Sequence, residues 1–185
     1  MGQNTAWVVP RWLAALALLL VAACGTGGSG EPPVNADDVM FTQMMVQHHR
    51  QGIEIAKVGA ERATTEELKT LAAAIASTQQ SEVEMMLRWL HAWGQPLTPP
   101  DGAHDHHGGL PETDRKKIAA LKTADPFEPE LLAMLMAHQE GAVQMAATEI
   151  REGVNPEATR WAGKVQESRK SQIEQLRQLL TKITS

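Results

Sequence analysis

Apolar residues recur every three or four positions in four long segments, which predicts four amphipathic α-helices. The first segment follows Asn35 and runs to about Arg62, and the second begins near Thr64 and runs to Trp93. The third and fourth span about 125–153 and 155–183. Because strands favour β-branched and aromatic residues, a chain with only 4% aromatics also fits helices better than sheets.

Helix-start signals mark the predicted boundaries. Asn35 precedes two aspartates and Asn155 precedes a proline, so each is a candidate N-cap. Thr64 and Glu67 have the spacing of a capping box. Asp125, which also precedes a proline, is the candidate cap of the third helix.

The two predicted pairs of helices are a sequence repeat. A shift of 90 residues brings the first pair onto the second without a gap, and it aligns His48 with His138. The short connections within each pair require antiparallel hairpins. The fold class is therefore all-α: an up-down four-helix bundle (35–185) with hairpin 1 at 35–94 and hairpin 2 at 125–183. A linker at 95–124 joins the hairpins, and residues 112–123 are predicted to add a short helix.

The N-terminal region has the features of an export signal. Residues 1–23 carry one positive charge, Arg11, before an apolar run too short to span a membrane. The residues before Cys24 resemble a bacterial lipobox, which predicts lipidation (palmitate) of the only cysteine. Residues 24–34 are rich in glycine and are predicted to be a flexible tether. A plain secretory signal or a short N-terminal anchor is the alternative.

Composition excludes several classes of function. One cysteine in 185 residues excludes a disulfide framework, a Cys-rich zinc site and an iron–sulfur cluster. A net charge of −5 argues against nucleic-acid binding. No histidine on the predicted helices has Glu three residues before it, so the Glu-x-x-His motif of di-iron oxidases is absent. Nine methionines and seven histidines remain as the chemistry to explain.

Polar residues interrupt the apolar stripes at one level of the predicted bundle. His48, Gln79 and Glu82 fall on the inward faces of the first two helices, and hairpin register places them together. The 90-residue shift places Arg169 at the same level, where it could neutralise Glu82. A metal-free network of Arg169, Glu82 and His48 is therefore one interpretation.

Copper binding is the other interpretation of this level. Three Met/His pairs have the i, i+4 spacing that places both side chains on one helix face. Thioether sulfur favours Cu(I), and imidazole binds copper in either oxidation state. The pairs are Met44/His48, Met45/His49 and Met134/His138.

The linker holds a second histidine cluster. His104, His106 and His107 lie in a Pro/Gly-rich stretch, where they are either an exposed polar tip or an accessory site of metal capture.

The duplicated Met/His motifs resemble those of the bacterial family catalogued as domain of unknown function 305. The matching segments are Phe41–Ala56, Gln79–Met86 and Leu135–Ala146, and the resemblance extends over about 37–180. It implies a ferritin-like bundle that is exported, often as a lipoprotein, with copper-binding members tied to copper tolerance in the periplasm. The ligand positions that it implies are Met44, Met45, His48, His49, Glu82, Met86, Met134 and His138.

Several positions depart from the family motifs. Gly52 and Ile55 replace Ala and Met in the first copy. Gln139, Gln172 and Leu176 replace His, Glu and Met in the second.

The expected function is therefore that of an exported lipoprotein, not an enzyme. It would bind a copper ion, or silver, as a buffer or carrier, and attach to the membrane or periplasmic envelope through the lipid on Cys24. Nucleic acid is not an expected partner. The alternative is a non-metal helical module of the envelope, for protein interaction or stress response, in which the polar level is purely structural.

Overall fold

This computed structural model describes residues 32–99 and 115–185. All the regular secondary structure in these residues is α-helical. The five helices in this part are α1 (Ala36–Arg62), α2 (Glu66–Ala92), α3 (Arg115–Leu121), α4 (Phe127–Glu152) and α5 (Pro156–Thr184). None of them is long and apolar enough to span a membrane. The predicted signal peptide, Cys24 and the three linker histidines lie outside the described residues.

The four long helices are the predicted ones, and α1/α2 and α4/α5 pack as two hairpins that meet chiefly through α1 and α4. The all-α four-helix fold is therefore confirmed. The predicted helix at 112–123 corresponds to α3, one shorter element over Arg115–Leu121.

The helix starts confirm two of the predicted caps. Asn35 accepts a hydrogen bond from the backbone N–H of Asp38, whose carboxylate accepts from the N–H of Asn35, and the two form a capping box. Asn155 caps α5 by accepting from the N–H groups of Glu157 and Ala158.

The other two predicted caps are wrong. Thr64 and Glu67 form no capping box, because both Thr64 and Thr65 direct their hydroxyls to Glu128 on the other hairpin. Asp125 is also not an N-cap, since α4 begins one residue later than predicted and Pro126, which has no capping side chain, occupies that position.

One carboxylate from each hairpin accepts hydrogen bonds from the turn of the other hairpin. Glu128 in the first turn of α4 accepts from the N–H groups of Thr64 and Thr65 at 2.7 and 2.8 Å. Asp38 in the first turn of α1 accepts from the N–H groups of Val154 and Asn155 at 3.1 and 2.9 Å. The 90-residue shift of the sequence repeat relates the two contacts, so the duplication extends to the links between hairpins.

The core divides into two apolar clusters. The upper cluster, toward the end of the bundle where α1 begins, contains residues of Phe41–Val46, Val83–Trp89, Ala142–Ala146 and Ala158–Val165, together with Ile53. The lower cluster contains residues of Ile55–Ala63, Leu68–Ile75, Leu131–Leu135 and Leu176–Leu179. The chain positions between these sets, near residues 48, 79, 138 and 169, lie at one level where the four long helices present polar side chains.

A buried acid next to Asp38 makes the stability of the bundle depend on pH. Glu149 is only 1% exposed, and burial, reinforced by Asp38 and then Asp37, raises its pKa from 4.5 to about 8. Between these two values the unfolded chain releases a proton that the folded chain keeps. Stability is therefore fully present below about pH 4.5 and is lost as pH rises through about 8.

We expect the Glu149→Gln variant to lose this pH dependence. In the wild type the contribution falls by up to about 1.4 kcal/mol per pH unit between the two pKa values. Urea unfolding from pH 4 to 9 should give a flatter profile for the variant and a higher free energy of unfolding at pH 8. The exposed Glu152→Gln on the same helix is the control, and a variant profile parallel to the wild type would contradict the assignment.

Candidate metal-binding site

A polar layer of eight side chains lies between the two apolar clusters. Each long helix contributes two members, because two polar residues on or beside its inward stripe lie at this level. Six of the eight are fully or almost fully buried, while Glu82 and Gln172 lie at the edge. The members are His48, His49, Gln79, Glu82, His138, Gln139, Arg169 and Gln172.

One side of the polar layer is an ion-paired network. Arg169, which is fully buried, donates from Nη2 to Glu82 Oε2, and His49 Nε2 lies 2.8 Å from the same oxygen. Burial alone would raise the pKa of Glu82, but His49 and Arg169 together hold it below its usual value. Burial in turn lowers the pKa of His49, so this imidazole is neutral at pH 7 and donates its Nε2–H to the carboxylate.

Arg169 therefore neutralises Glu82, as the repeat predicted. The histidine in the network is His49, and the prediction of His48 in that place is wrong. Hairpin register identifies the level of a residue along the helix but not its flank. His49 lies on the flank of α1 that faces α5, with its ring centroid 6.3 Å from that of Trp161.

Three glutamines continue the polar layer between helices. Gln79 Nε2 donates to Gln139 Oε1 at 3.4 Å, and Gln139 Nε2 donates to Gln172 Oε1. Arg169 Nη1 lies 3.5 Å from the same Gln172 oxygen. The chain of amides leaves Gln79 Oε1 buried and without a hydrogen-bond partner among the described residues.

The other side of the polar layer is a pair of stacked imidazoles. The ring centroids of His48 and His138 are 3.8 Å apart, and the ring planes are inclined by 13°. Both rings are buried, and none of their four nitrogens has a hydrogen-bond partner among the described residues. Burial lowers the pKa of His138 to about 3 and holds that of His48 well below its usual value, and the charge of Arg169 acts in the same direction on both. Both rings are therefore neutral and present free lone pairs at pH 7.

Gly52 makes room for this arrangement. A β-carbon at residue 52 would lie 2.1 Å from Gln79 Oε1 and 2.3 Å from His138 Nε2. The missing side chain thus lets an unpartnered oxygen and an unpartnered nitrogen approach the α1 backbone at the same point. Glycine fits at residue 52 because Gln79 and His138 occupy the space that a β-carbon would fill.

We expect Gly52→Ala to destabilise the bundle by about 1 kcal/mol, although alanine is the better helix former. The propensity gain of about 1 kcal/mol is outweighed by overpacking, which costs about 1–3 kcal/mol. Gly163→Ala in α5 is the matched control, because its β-carbon would meet nothing within 4 Å. That variant should gain up to about 1 kcal/mol in chemical denaturation. Equal gains at both positions would show that Gly52 is not required by packing.

The predicted methionine ligands lie on both sides of the polar layer. Met44, Met45 and Met86 are buried in the upper cluster, whereas Met134 is partly buried and packs against the lower one. Met145, which lies on the inward stripe of α4 but was not among the predicted ligands, is also buried in the upper cluster, seven residues after His138.

The His and Glu side chains among the eight predicted ligands do not form one metal-binding group in this arrangement. Within residues 32–99 and 115–185, no group of three or more His, Cys, Asp or Glu side chains has the geometry of a metal site. The lone pair of an imidazole nitrogen lies in the plane of its ring, and the planes of His48 and His138 are stacked and nearly parallel, so one ring must turn before both can bind one ion. What the structure does bring together is His48 with His138, and His49 with Glu82.

Comparison with known proteins identifies the family. The family model of a domain of unknown function, DUF305, matches residues 38–180, which include the whole polar layer. The chain belongs to the DUF305 family. No protein in the search of curated proteins matches it.

Solved structures of DUF305 proteins share the fold. A DUF305 fragment from Deinococcus radiodurans is 27% identical, with a TM-score of 0.72 over 82% of this chain and 99% of that one. A DUF305 protein from Streptomyces coelicolor, described as a putative secreted protein, is 27% identical. Its TM-score is 0.74 over 79% of this chain and 93% of that one. CopM in its Cu(I)-bound form is also 27% identical, with a TM-score of 0.68 over 80% of this chain and 98% of that one. CopM has further been solved in Cu(II)-bound and Ag-bound forms.

Proposed function

We propose that this DUF305 protein binds a copper or silver ion through the polar layer and acts as a metal buffer or carrier without covalent chemistry. The observation that carries the proposal is the pair of buried, neutral imidazoles, His48 and His138, whose four nitrogens have no hydrogen-bond partner among the described residues. A buried polar atom without a partner costs about 1–3 kcal/mol, so a bound ion would relieve a cost already present in the fold. The copper-bound and silver-bound forms of CopM support the choice of metal.

The donor types in the polar layer and in the adjoining apolar clusters fit a soft ion. Imidazole nitrogen and thioether sulfur are ligands of Cu(I), and Met44 and Met134 each lie one helical turn before a histidine of the stacked pair. His49 also keeps a free nitrogen, Nδ1, while its Nε2–H is held by Glu82. A carboxylate that orients an imidazole in this way is the usual outer partner of a metal-binding histidine. We therefore assign Glu82 to orientation and the ligand role to histidines and methionines.

Export and anchoring are part of the same proposal. The predicted signal at residues 1–23 and the predicted lipid on Cys24 would hold the protein at the outer side of the membrane or in the periplasm. The Streptomyces relative, described as a putative secreted protein, supports export. A role in copper tolerance would follow from binding at this location, with His104, His106 and His107 raising the local metal concentration.

Metal affinity in solution tests the proposal. The full chain is titrated with Cu(I) against a competing chelator, alongside a His48→Leu/His138→Leu variant. Because the nitrogens of both rings are unpartnered, leucine should preserve the fold while removing the donors. We expect at least a tenfold loss of the tightest affinity, and no loss in the exposed His91→Ala control. Unchanged affinity in a folded double variant would refute the site.

A purely structural polar layer is the second candidate function, and the Arg169–Glu82 ion pair favours it on that side of the layer. In that case the chain is a non-metal module of the cell envelope. The titration separates the two, because the structural candidate predicts no affinity that depends on His48 and His138.

A further inference from the structure

We infer that Arg169 makes the polar layer selective for monovalent soft ions over divalent ions. This inference rests on the proposed metal binding and concerns which charge the site accepts. The juxtaposition that carries it is a fully buried guanidinium at the same level as a set of neutral donors.

The polar layer already contains one deeply buried positive charge, the guanidinium of Arg169. Arg169 is 0% exposed, and its ion-pair partner among the described residues is Glu82, whose side chain is 16% exposed at the edge of the layer. Glu82 is also engaged by His49, and Arg169 Nε has no hydrogen-bond partner among the described residues. The positive charge is thus deeper in the bundle than the carboxylate that balances it. The guanidinium also lies close to the donor histidines, because Arg169 Nη2 is 3.5 Å from His49 Nε2 and the ring centroid of His49 is 6.3 Å from that of His48.

A divalent ion needs ligands that compensate two positive charges. Zinc is usually held by four ligands, with thiolates or carboxylates supplying negative charge at many sites. The free donors of the polar layer are uncharged imidazole nitrogens and an amide oxygen, and the methionines of the adjoining clusters would add only uncharged thioethers. Within the described residues no cluster of three His, Cys, Asp or Glu side chains is available. A divalent ion would therefore bring two uncompensated charges beside Arg169, and a monovalent ion only one.

Coulomb's law makes this difference quantitative. The repulsion from Arg169 is proportional to the charge of the ion, so it is twice as large for Zn(II) as for Ag(I) at the same position. Removing Arg169 should then improve the affinity for both ions, and the logarithm of the improvement should be about twice as large for Zn(II). If the removal of Arg169 improves the affinity for Ag(I) about tenfold, it should therefore improve the affinity for Zn(II) about a hundredfold.

The experiment compares Ag(I) and Zn(II), which need no redox control, in competition titrations of the full chain. Three variants are measured: Arg169→Met, Arg169→Lys, and Arg169→Met with Glu82→Gln. The third separates the loss of the charge from the release of Glu82 as a new ligand. Affinity is assigned to the polar layer only where it is lost on adding His48→Leu/His138→Leu, which removes the contribution of exposed histidines such as His91. Circular dichroism confirms that each variant is folded.

We expect Arg169→Met to raise the ratio of the Zn(II) affinity to the Ag(I) affinity at least tenfold above that of the wild type. Arg169→Lys, which keeps the charge, should leave this ratio unchanged. The variant that also carries Glu82→Gln should retain the shift toward Zn(II). Equal changes for the two ions, or a shift that disappears with Glu82→Gln, would overturn the role of the Arg169 charge while leaving the proposed function intact. Absence of His48/His138-dependent Ag(I) binding in the wild type would refute the proposed function itself.

Discussion

The Glu82→Ala variant is expected to be less stable than the wild type by about 3 kcal/mol. Glu82 is the acid that pairs with the fully buried Arg169, and its removal leaves a guanidinium without a counter-charge inside the bundle. Breaking a buried pair from one side typically costs about 3–5 kcal/mol, and the partial exposure of Glu82 places the expected value at the low end. The loss also frees the Nε2–H of His49 from its acceptor.

A double variant tests whether this cost comes from the unpaired charge. Glu82→Leu with Arg169→Met removes both charges, and replacement of a buried pair by apolar residues of similar volume is often neutral or stabilising. We therefore expect it to recover most of the lost stability in urea denaturation. Glu84→Ala, on the exposed face of α2, should change stability by less than about 0.5 kcal/mol. A double variant no more stable than Glu82→Ala would show that packing, and not charge, accounts for the effect.

Silver binding is expected to stabilise the bundle strongly. A ligand that binds only the folded chain adds about 2.7 kcal/mol at a free concentration of 100 times its Kd. Here the ion would also supply a partner to imidazole nitrogens that have none among the described residues. We expect the thermal unfolding midpoint of the wild type to rise as the free Ag(I) concentration is raised from the Kd to about 100 times the Kd.

The His48→Leu/His138→Leu variant should show little of this shift. Exposed and linker histidines remain in that variant, so any residual effect measures binding outside the polar layer. His91→Ala should respond to Ag(I) like the wild type, because its ring is at the surface. A full shift in the leucine variant would place the stabilising ion elsewhere in the chain.

The main features of the fold were predictable because they depend on local and repeated signals. Helical periodicity predicted the bounds of the four long helices to within a few residues. Asn35 and Asn155 cap their helices as predicted, because an asparagine oxygen can accept a hydrogen bond from the N–H groups of the first turn. The wrong caps, at Thr64 and Asp125, involve competition that local sequence does not reveal. Thr64 donates to an acid 64 residues away, on the opposite hairpin.

The candidate site was predictable in its level but not in its pairings. The repeat placed Arg169 near Glu82, since both lie on inward stripes at the same height. The stacking of His48 on His138 and the need for Gly52 depend on ring orientations and on the distance between α1 and α4. These are set by the packing of four helices at once, which helical periodicity does not determine.

Nitrogen NMR of the silver-loaded chain shows whether the two buried imidazoles bind the ion. Silver has spin-½ nuclei, so an imidazole nitrogen bound to Ag(I) shows a scalar coupling and a shifted ¹⁵N resonance. With ¹⁵N-labelled histidine and assignment by single His→Leu variants, we expect coupling at one ring nitrogen of His48 and one of His138. Coupling confined to His91 or the linker histidines, with both buried rings unchanged, would contradict it.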